Sequence, residues 1–528
     1  MPPPSYRIDL RPCIPVRSGK HIEYVGLRDL LLNAHHIDDL ALPLPPAQCG
    51  LYRVLTAICA PITELDDPDQ PLKDWLDHRT ELLRREDGFD TDAVHAYFDA
   101  DPDAFDLFHP RRPWWQDPTL AVQCSKRSGI NSLIYGRAAG NNLVWFSPRH
   151  TETDPQPVPT KEALWNLLAY HYYGPSGRAT ARTVQGVRSG QMQAGPLRST
   201  VSFHPRGRTL YETLLLHHVP YRGDGQAPGS DACPWEQPPA DPLQVPREAT
   251  WPRGVLTGRS LHAALLVPDE SGEYVTDAYR TWATPHPPLE ATDPYLVYDI
   301  DPTAPAERRR SPRRADATHA TFRALPALGL AGDEHRPGCR PEAFTTINSL
   351  PESTRTGLRV WVCGFDQEGQ VNNRIWYTSL TPPIWPLAQE NDPAKASRIA
   401  ECCAAAETLG ATLRKEADQA WKNAGLTPAV RPRKGRGKRG ASLWASQALA
   451  DYWPRAEQSF WQLIDDTRPA YGVFAAAAIT ALSETTRDAL NRLPKAGPAL
   501  ARAVQSLRRA GTSPDDTLRP TGGPHAQP

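Results

Sequence analysis

Six arginines, Arg178, Arg182, Arg188, Arg198, Arg206 and Arg208, fall between Tyr170 and Tyr211, and no aspartate or glutamate occurs from Ala163 to Tyr211. The whole chain carries 59 Lys and Arg against 60 Asp and Glu, so this excess is local. Gly174, Gly177, Gly186, Gly190, Gly195 and Gly207 interrupt the same stretch. A guanidinium fits phosphate oxygens and base edges with paired donors. Glycine lets the backbone come close to a ligand. An acid-free, arginine-studded glycine loop is what a nucleic-acid backbone would select. A solvated basic loop on an ordinary domain accounts for the same residues, and composition leaves both readings open. A nucleotide fits less well. Gly174 to Gly177 has glycines but no lysine partner, and the later GRGKRG lacks the Ser/Thr and the preceding strand of a P-loop.

Motifs for catalysis are missing. The chain has no G-x-x-x-x-G-K-[ST], no H-E-x-x-H, no G-x-S-x-G and no EF-hand loop. The carboxylate pairs Asp38-Asp39 and Asp465-Asp466 fall at helix edges and make no acid–base site. Nine cysteines are scattered without a C-x-x-C pair, so spacing gives neither a zinc signal nor a disulfide framework. No metal and no cofactor is expected. His35-His36 and His217-His218 close helices, where the dipole favours them. Tandem Trp114-Trp115 beside Arg111 and Arg112 has the chemistry to stack on bases, but large aromatics belong first to cores. Two further basic runs, ERRRSPRR from Glu307 and RPRKGRGKRG from Arg431, read as solvated or flexible. The N-terminus has no apolar signal region and no run of ~18 apolar residues occurs. No membrane span and a reducing cytoplasm are expected. The balance favours binding over catalysis.

Hydrophobic periodicity supplies the elements that must hold these residues. Alternation at Tyr6, Ile8 and Leu10 predicts a strand. Leu27, Leu30, Leu31 and Ala34 predict a short amphipathic helix, and Leu51 to Ile62 a buried helix ended by Pro61. Lys161 to Tyr172 reads as a helix, with Gly174 as its cap. TLYETLLLHHVP reads as another. Strands are expected at Leu261 to Val267, Tyr295 to Tyr298 and Gly357 to Phe365, with a second strand after DQEGQ. From Asp392 the chain becomes Ala-rich. Helices are expected at Lys395 to Ala424, Trp444 to Ile464, Tyr471 to Leu493 and Pro498 to Ala510, which suggests a bundle. The expected fold class is α+β: a large mixed α/β N-terminal domain over 1–383, a C-terminal four-helix bundle over 384–511, and a disordered tail over 512–528.

The order of several segments resembles the CasA family, the large subunits of type I-E CRISPR Cascade complexes in antiviral defence. These segments are IDLRPCIPV with GLRDLLLNAH, FDLFHPRRPWWQD, GNNLVWF, GPLRSTVSFHPRGRTLYETLLLHHV, WVCGFDQEGQ and DYWPRAEQSFWQLI. Cys13 stands where the family often has tryptophan. The resemblance implies a non-enzymatic subunit of an RNA-guided surveillance complex. Such a subunit reads a short protospacer-adjacent motif, the PAM, through the minor groove of double-stranded target DNA. It helps open the duplex for R-loop formation and recruits a helicase–nuclease. Other Cascade subunits and CRISPR RNA are the remaining implied partners. Protein reads the short duplex motif while base pairing reads the rest.

Carried onto this sequence, the family's glycine loop falls on Gly174, Pro175, Ser176 and Gly177, with Arg178, Arg182 and Arg188 on phosphates. Its glutamine wedge falls on Gln367 or Gln370, the latter favoured by its spacing from Gly364. Its basic finger, a lysine in better-known members, falls on Arg280. Asn141, Asn142 and Trp145 match a loop that meets the guide or the PAM-proximal DNA. Because the minor groove separates little more than A·T from G·C, tolerance of several PAM sequences is expected. The alternatives are a structural adaptor that binds protein through the bundle and an unrecognised metal-dependent nuclease.

Overall fold

The computed structural model describes residues 3–137, 139, 154–221, 231–246, 248–289, 291–301, 303–305, 309–315, 321–325, 328, 340–368, 372–388, 391–426 and 441–512. The chain divides into two compact units, Met1–Ala317 with Pro337–Trp385, and Thr318–Arg336 with Pro386–Pro528.

The first unit mixes helices with small antiparallel sheets. Its centre is the helix Pro45–Thr63, on which 16 of 19 residues are buried. A helix apolar on every side must be surrounded by protein. It starts earlier than periodicity indicates, because Pro45 and Pro46 occupy the first turn, where a missing N–H costs nothing. Pro61 lies inside its last turn. The helix Thr160–Tyr173 packs against it. A side chain at Gly50 would put its Cβ 2.7 Å from the Tyr172 ring, so glycine sets the approach of the two helices. A three-stranded sheet of Asn372–Leu380, Arg359–Glu368 and Val201–Arg206, in that order, covers the same core. The hairpin of His262–Pro268 and Tyr274–Trp282 pairs with Val158–Pro159 just before the second helix. Trp114 and Trp115 are buried, Trp115 stacking on His171 at 4.3 Å, so the tandem tryptophans belong to the core.

Three expectations in this unit fail. The strand expected at Tyr295 to Tyr298 lies instead at Tyr298–Ile300. Tyr6 to Leu10 is a turn, not a strand. Leu10 and Arg11 both donate to the Arg7 carbonyl, and Leu10 is left exposed. The arginine-rich stretch after Gly177 is a β-hairpin, Gly177–Val184 with Val187–Met192, not a loop. Its turn residues Gln185 and Gly186 both have positive φ, the geometry of a two-residue hairpin turn.

Among the described residues the second unit holds four α-helices, Pro393–Asn423, Leu443–Leu463, Ala470–Arg492 and Ala496–Ala510. These are the four that periodicity predicts, and the α+β class with a C-terminal helical bundle holds. Pro454 neither breaks nor restarts its helix. The segment around Phe322 belongs to this unit. Phe322 stacks on Phe460 at 4.6 Å, and the Arg323 guanidinium lies 3.9 Å from the Trp453 ring centre. Among the described residues no helix is long and apolar enough to cross a membrane.

Candidate nucleic-acid interface

The helix Thr160–Tyr173 delivers the glycine run. Gly174 closes it by donating its N–H to the Tyr170 carbonyl at 2.9 Å. Its φ of −56° and ψ of 150° are open to any residue, so it is not the left-handed cap that the sequence suggests. Space is what demands glycine. A Cβ there would lie 2.5 Å from the Tyr170 oxygen and 2.5 Å from His262 Cε1. Gly177, by contrast, has a φ of +117°. The run is tied down from behind. Gly195 donates to the Gly174 carbonyl at 3.0 Å, and His262 Nε2 lies 2.9 Å from the Gln193 oxygen and 3.2 Å from that of Pro175. Burial pushes His262 down to about 4, against the pull of the surrounding carbonyls, so the ring is neutral and donates on one side only. Gly174→Ala is expected to cost about 1–3 kcal/mol by overpacking against backbone. A thermal melt checks it, and an unchanged midpoint would refute the steric argument.

Pro175, Ser176 and Arg178 form one wall of a cleft of about 810 Å³, and Arg280, on the strand Tyr274–Trp282, stands in it as well. Among the described residues five cations line this cleft, Lys126, Arg127, Arg137, Arg178 and Arg280, against the one carboxylate of Asp277. Arg127 lies 3.8 Å from Asp277, and Arg137 donates to Asn131 and to the Gln156 carbonyl. Arg178 is exposed on the first strand of the hairpin. Arg280 places its guanidinium 5.6 Å from the Tyr170 ring centre, and its Nε is buried without a hydrogen bond. Behind the loop, Arg198 donates to the Tyr173 carbonyl at 3.0 Å, while its Nε and Nη2 find no partner. Burial holds Arg198 below the ordinary guanidinium range. A cleft with this charge attracts an anion and can hold a phosphate backbone.

The sequence-predicted residues separate into groups. Pro175, Ser176, Arg178 and Arg280 line the cleft, and Gly174 and Gly177 bracket the turn that puts them there. Arg182 does not belong with them. It is buried, donates to Asp117 at 2.6 Å, Gln123 at 2.7 Å and the Trp282 carbonyl at 3.1 Å, and presents nothing to solvent. Arg188 is exposed on the second strand but is not among the cleft's lining residues. Gln367 is not available as a wedge. It is buried, its Oε1 accepts from Ser199 N–H at 3.0 Å, and its Nε2 donates to the Tyr173 carbonyl at 3.3 Å. It fastens the hairpin of Arg359–Glu368 to the root of the glycine loop. Gln370, Asn141, Asn142, Trp145 and the basic run from Arg431 to Arg439 lie outside the described residues. Sequence reasoning missed Lys126, Arg127 and Arg137, for which the adjacent Lys126-Arg127 pair was the available signal.

A mixed helix-and-strand unit followed in the chain by a helical bundle is also the fold of chains solved in CRISPR RNA-guided surveillance complexes. A chain in a solved structure titled "CRISPR RNA-guided surveillance complex" is 37% identical, and the match covers 97% of this chain and 100% of that one at a TM-score of 0.83. Residues 10–493 match the family described as CRISPR-associated protein Cse1, and the chain belongs to that family. The CRISPR-associated protein CasA/Cse1 of Thermus thermophilus is 27% identical over 494 residues, 91% of this chain and 89% of that protein. A solved structure of Thermus thermophilus CasA shares the fold at 21% identity and a TM-score of 0.71, over 96% and 98% of the two chains.

Proposed function

We propose that the chain is the large, non-catalytic subunit of a cytoplasmic CRISPR RNA-guided surveillance complex, and that its cleft receives double-stranded target DNA at the PAM. The observation that carries this is the convergence of the glycine run, Arg178 and Arg280 on one surface where five cations face one carboxylate. Glycine backbone at Gly174 to Gly177 enters the narrow minor groove, and Arg178 holds the flanking phosphates. Arg280 serves as the basic finger. The wedge that helps open the duplex then rests with Gln370, since Gln367 is engaged inside the fold. Asn141, Asn142 and Trp145 meet the guide or the PAM-proximal DNA. Other subunits, CRISPR RNA and a recruited helicase–nuclease complete the assembly.

A metal-dependent nuclease is the weaker reading. Among the described residues, the one set of three His, Cys or acidic side chains close enough to share an ion is Cys49, His204 and Cys363, and all three are buried. No phosphodiester reaches them.

The test is a binding series with the reconstituted complex on one protospacer carrying every PAM trinucleotide. Minor-groove readout predicts that several sequences are accepted, with A·T and T·A interchangeable at a given position. Acceptance of a single trinucleotide would point to major-groove readout and sink the proposal as stated.

A further inference from the structure

Three elements far apart in sequence bring sulfur and nitrogen donors together under the sheet. Cys49 comes from the helix Pro45–Thr63, His204 from the strand Val201–Arg206 and Cys363 from the strand Arg359–Glu368. The strands pair with Cys363 opposite Ser202 and Trp361 opposite His204. Strand alternation therefore turns Ser202, His204 and Cys363 to the same face, onto the helix. All four of Cys49, Ser202, His204 and Cys363 are buried. Cys49 Sγ lies 3.4 Å from Cys363 Sγ and 3.6 Å from His204 Nε2. Ser202 Oγ is 3.1 Å from Cys363 Sγ and 3.5 Å from Cys49 Sγ.

We propose that Cys49, Cys363 and His204 form a closed structural zinc site, with Ser202 Oγ as the fourth donor. Zn–S bonds of about 2.3 Å and Zn–N bonds of about 2.0–2.1 Å place tetrahedral neighbours about 3.8 Å apart for S···S and about 3.6 Å for S···N. The Cys49 separations from Cys363 and His204 are close to those edges, all three donors lie within 4.8 Å of one another, and the sulfurs stand well beyond the ~2.05 Å of a disulfide. The donor set is a zinc set by its softness and its mixture of thiolate and imidazole. Charge balances as well. Two thiols release their protons to solvent as the ion enters, and the two thiolates neutralise it. Tyr173 O–H donates to Cys49 Sγ at 3.1 Å from outside, the position of an outer-shell partner. Tyr173 is also the last residue before Gly174, and its carbonyl takes Gln367 Nε2. The ion would thus lock the helix and the sheet beneath the root of the glycine loop.

The experiment uses the full chain, purified under reducing conditions and dialysed against buffer without chelator. Elemental analysis is expected to find one zinc per chain. Cys363→Ser and His204→Gln are expected to weaken zinc by more than the ~10–100-fold that an outer-shell partner is worth. Exchange of zinc for cobalt in the unaltered chain is expected to give thiolate-to-cobalt charge transfer and tetrahedral visible bands, a readout that does not depend on the variants folding. Two results overturn the proposal. Metal-free protein with a Cys49–Cys363 disulfide, found by mass spectrometry after blocking free thiols in denaturant, makes the pair a redox couple instead. Metal-free protein with both thiols open to alkylation makes it ordinary packing. The outcome does not depend on DNA binding, so this proposal and the functional reading fail separately.

Discussion

Arg178→Glu combined with Arg280→Gln is expected to weaken binding of PAM-bearing duplex by the reconstituted complex by ~10–100-fold at low salt, and to lower the slope of log K against log salt by about 2. Both positions line the cleft. Arg178 is exposed, and neither side chain makes an ion pair among the described residues, so neither holds the fold together by charge. Arg178 is the phosphate contact of the two, so the single Arg178→Glu variant should lower all affinities together and leave the preferred PAM the same, while loss of the basic finger at Arg280 should also shift that preference. Arg188→Glu serves as the comparison, because it removes the same charge from the same hairpin outside the cleft. Its effect should be smaller and should vanish as salt rises. Arg182 makes a poor probe. Breaking a buried ion pair on one side costs roughly 3–5 kcal/mol, so loss of binding there would report loss of structure. Equal effects of the Arg178/Arg280 and Arg188 substitutions would show that the cleft is not where DNA sits.

The contrast between Arg178 and Arg182 marks what the sequence could carry. The two lie four residues apart and look alike in a count of charges. What separates them is Asp117, 65 residues away in sequence, which meets Arg182 across the fold. Elements whose signal is local were legible. The helix expected over Lys161 to Tyr172 runs over Thr160–Tyr173, and the four bundle helices fall close to their expected bounds, because 3.6-residue periodicity needs only neighbours. The arginine hairpin was missed although Gln185-Gly186 between two valines is a turn signal. Glycine serves ligand approach and turns equally well, so composition does not separate the two. Gly174 does cap its helix, but its constraint comes from His262 and the Tyr170 carbonyl rather than from its own dihedrals. The Cys49, His204 and Cys363 cluster was out of reach, with donors 155 and 314 residues from Cys49. No spacing rule spans such distances.

Stability of the first unit is expected to fall steeply as pH drops from 6.5 towards 4.5. Five buried histidines drive it. Burial pushes His171 down to about 3, and His218 and His262 down to about 4, from an ordinary value of 6.5, and it holds His204 and His217 below that value as well. Each is held neutral within a tight set of contacts. His171 stacks on Trp115 and contacts Ser260 and the Trp115 carbonyl, while His218 contacts the Leu214 carbonyl. The unfolded chain takes up protons at these positions once pH falls below about 6.5, and the folded chain does not until about pH 4 or below. Their stabilising effect is therefore fully present above pH 6.5 and lost through that window. Each proton contributes a slope of about 1.4 kcal/mol per pH unit, so His171, His218 and His262 contribute about 4, and His204 and His217 add to it. Over one to two pH units this reaches the whole stability of an ordinary domain, about 5–15 kcal/mol. Thermal melts of the full chain should be flat from pH 8 to 7 and should drop between pH 6 and 5, before carboxylates take part. His171→Gln removes one of these protons and should lower the slope by about 1.4 kcal/mol per pH unit, even though it also lowers the starting stability. A midpoint that does not move between pH 7 and 5, or a slope untouched by His171→Gln, would mean that these rings gain protons inside the folded unit. Acid would then be relieving the constraint at His262, where a second N–H finds the Tyr170 oxygen 3.1 Å away.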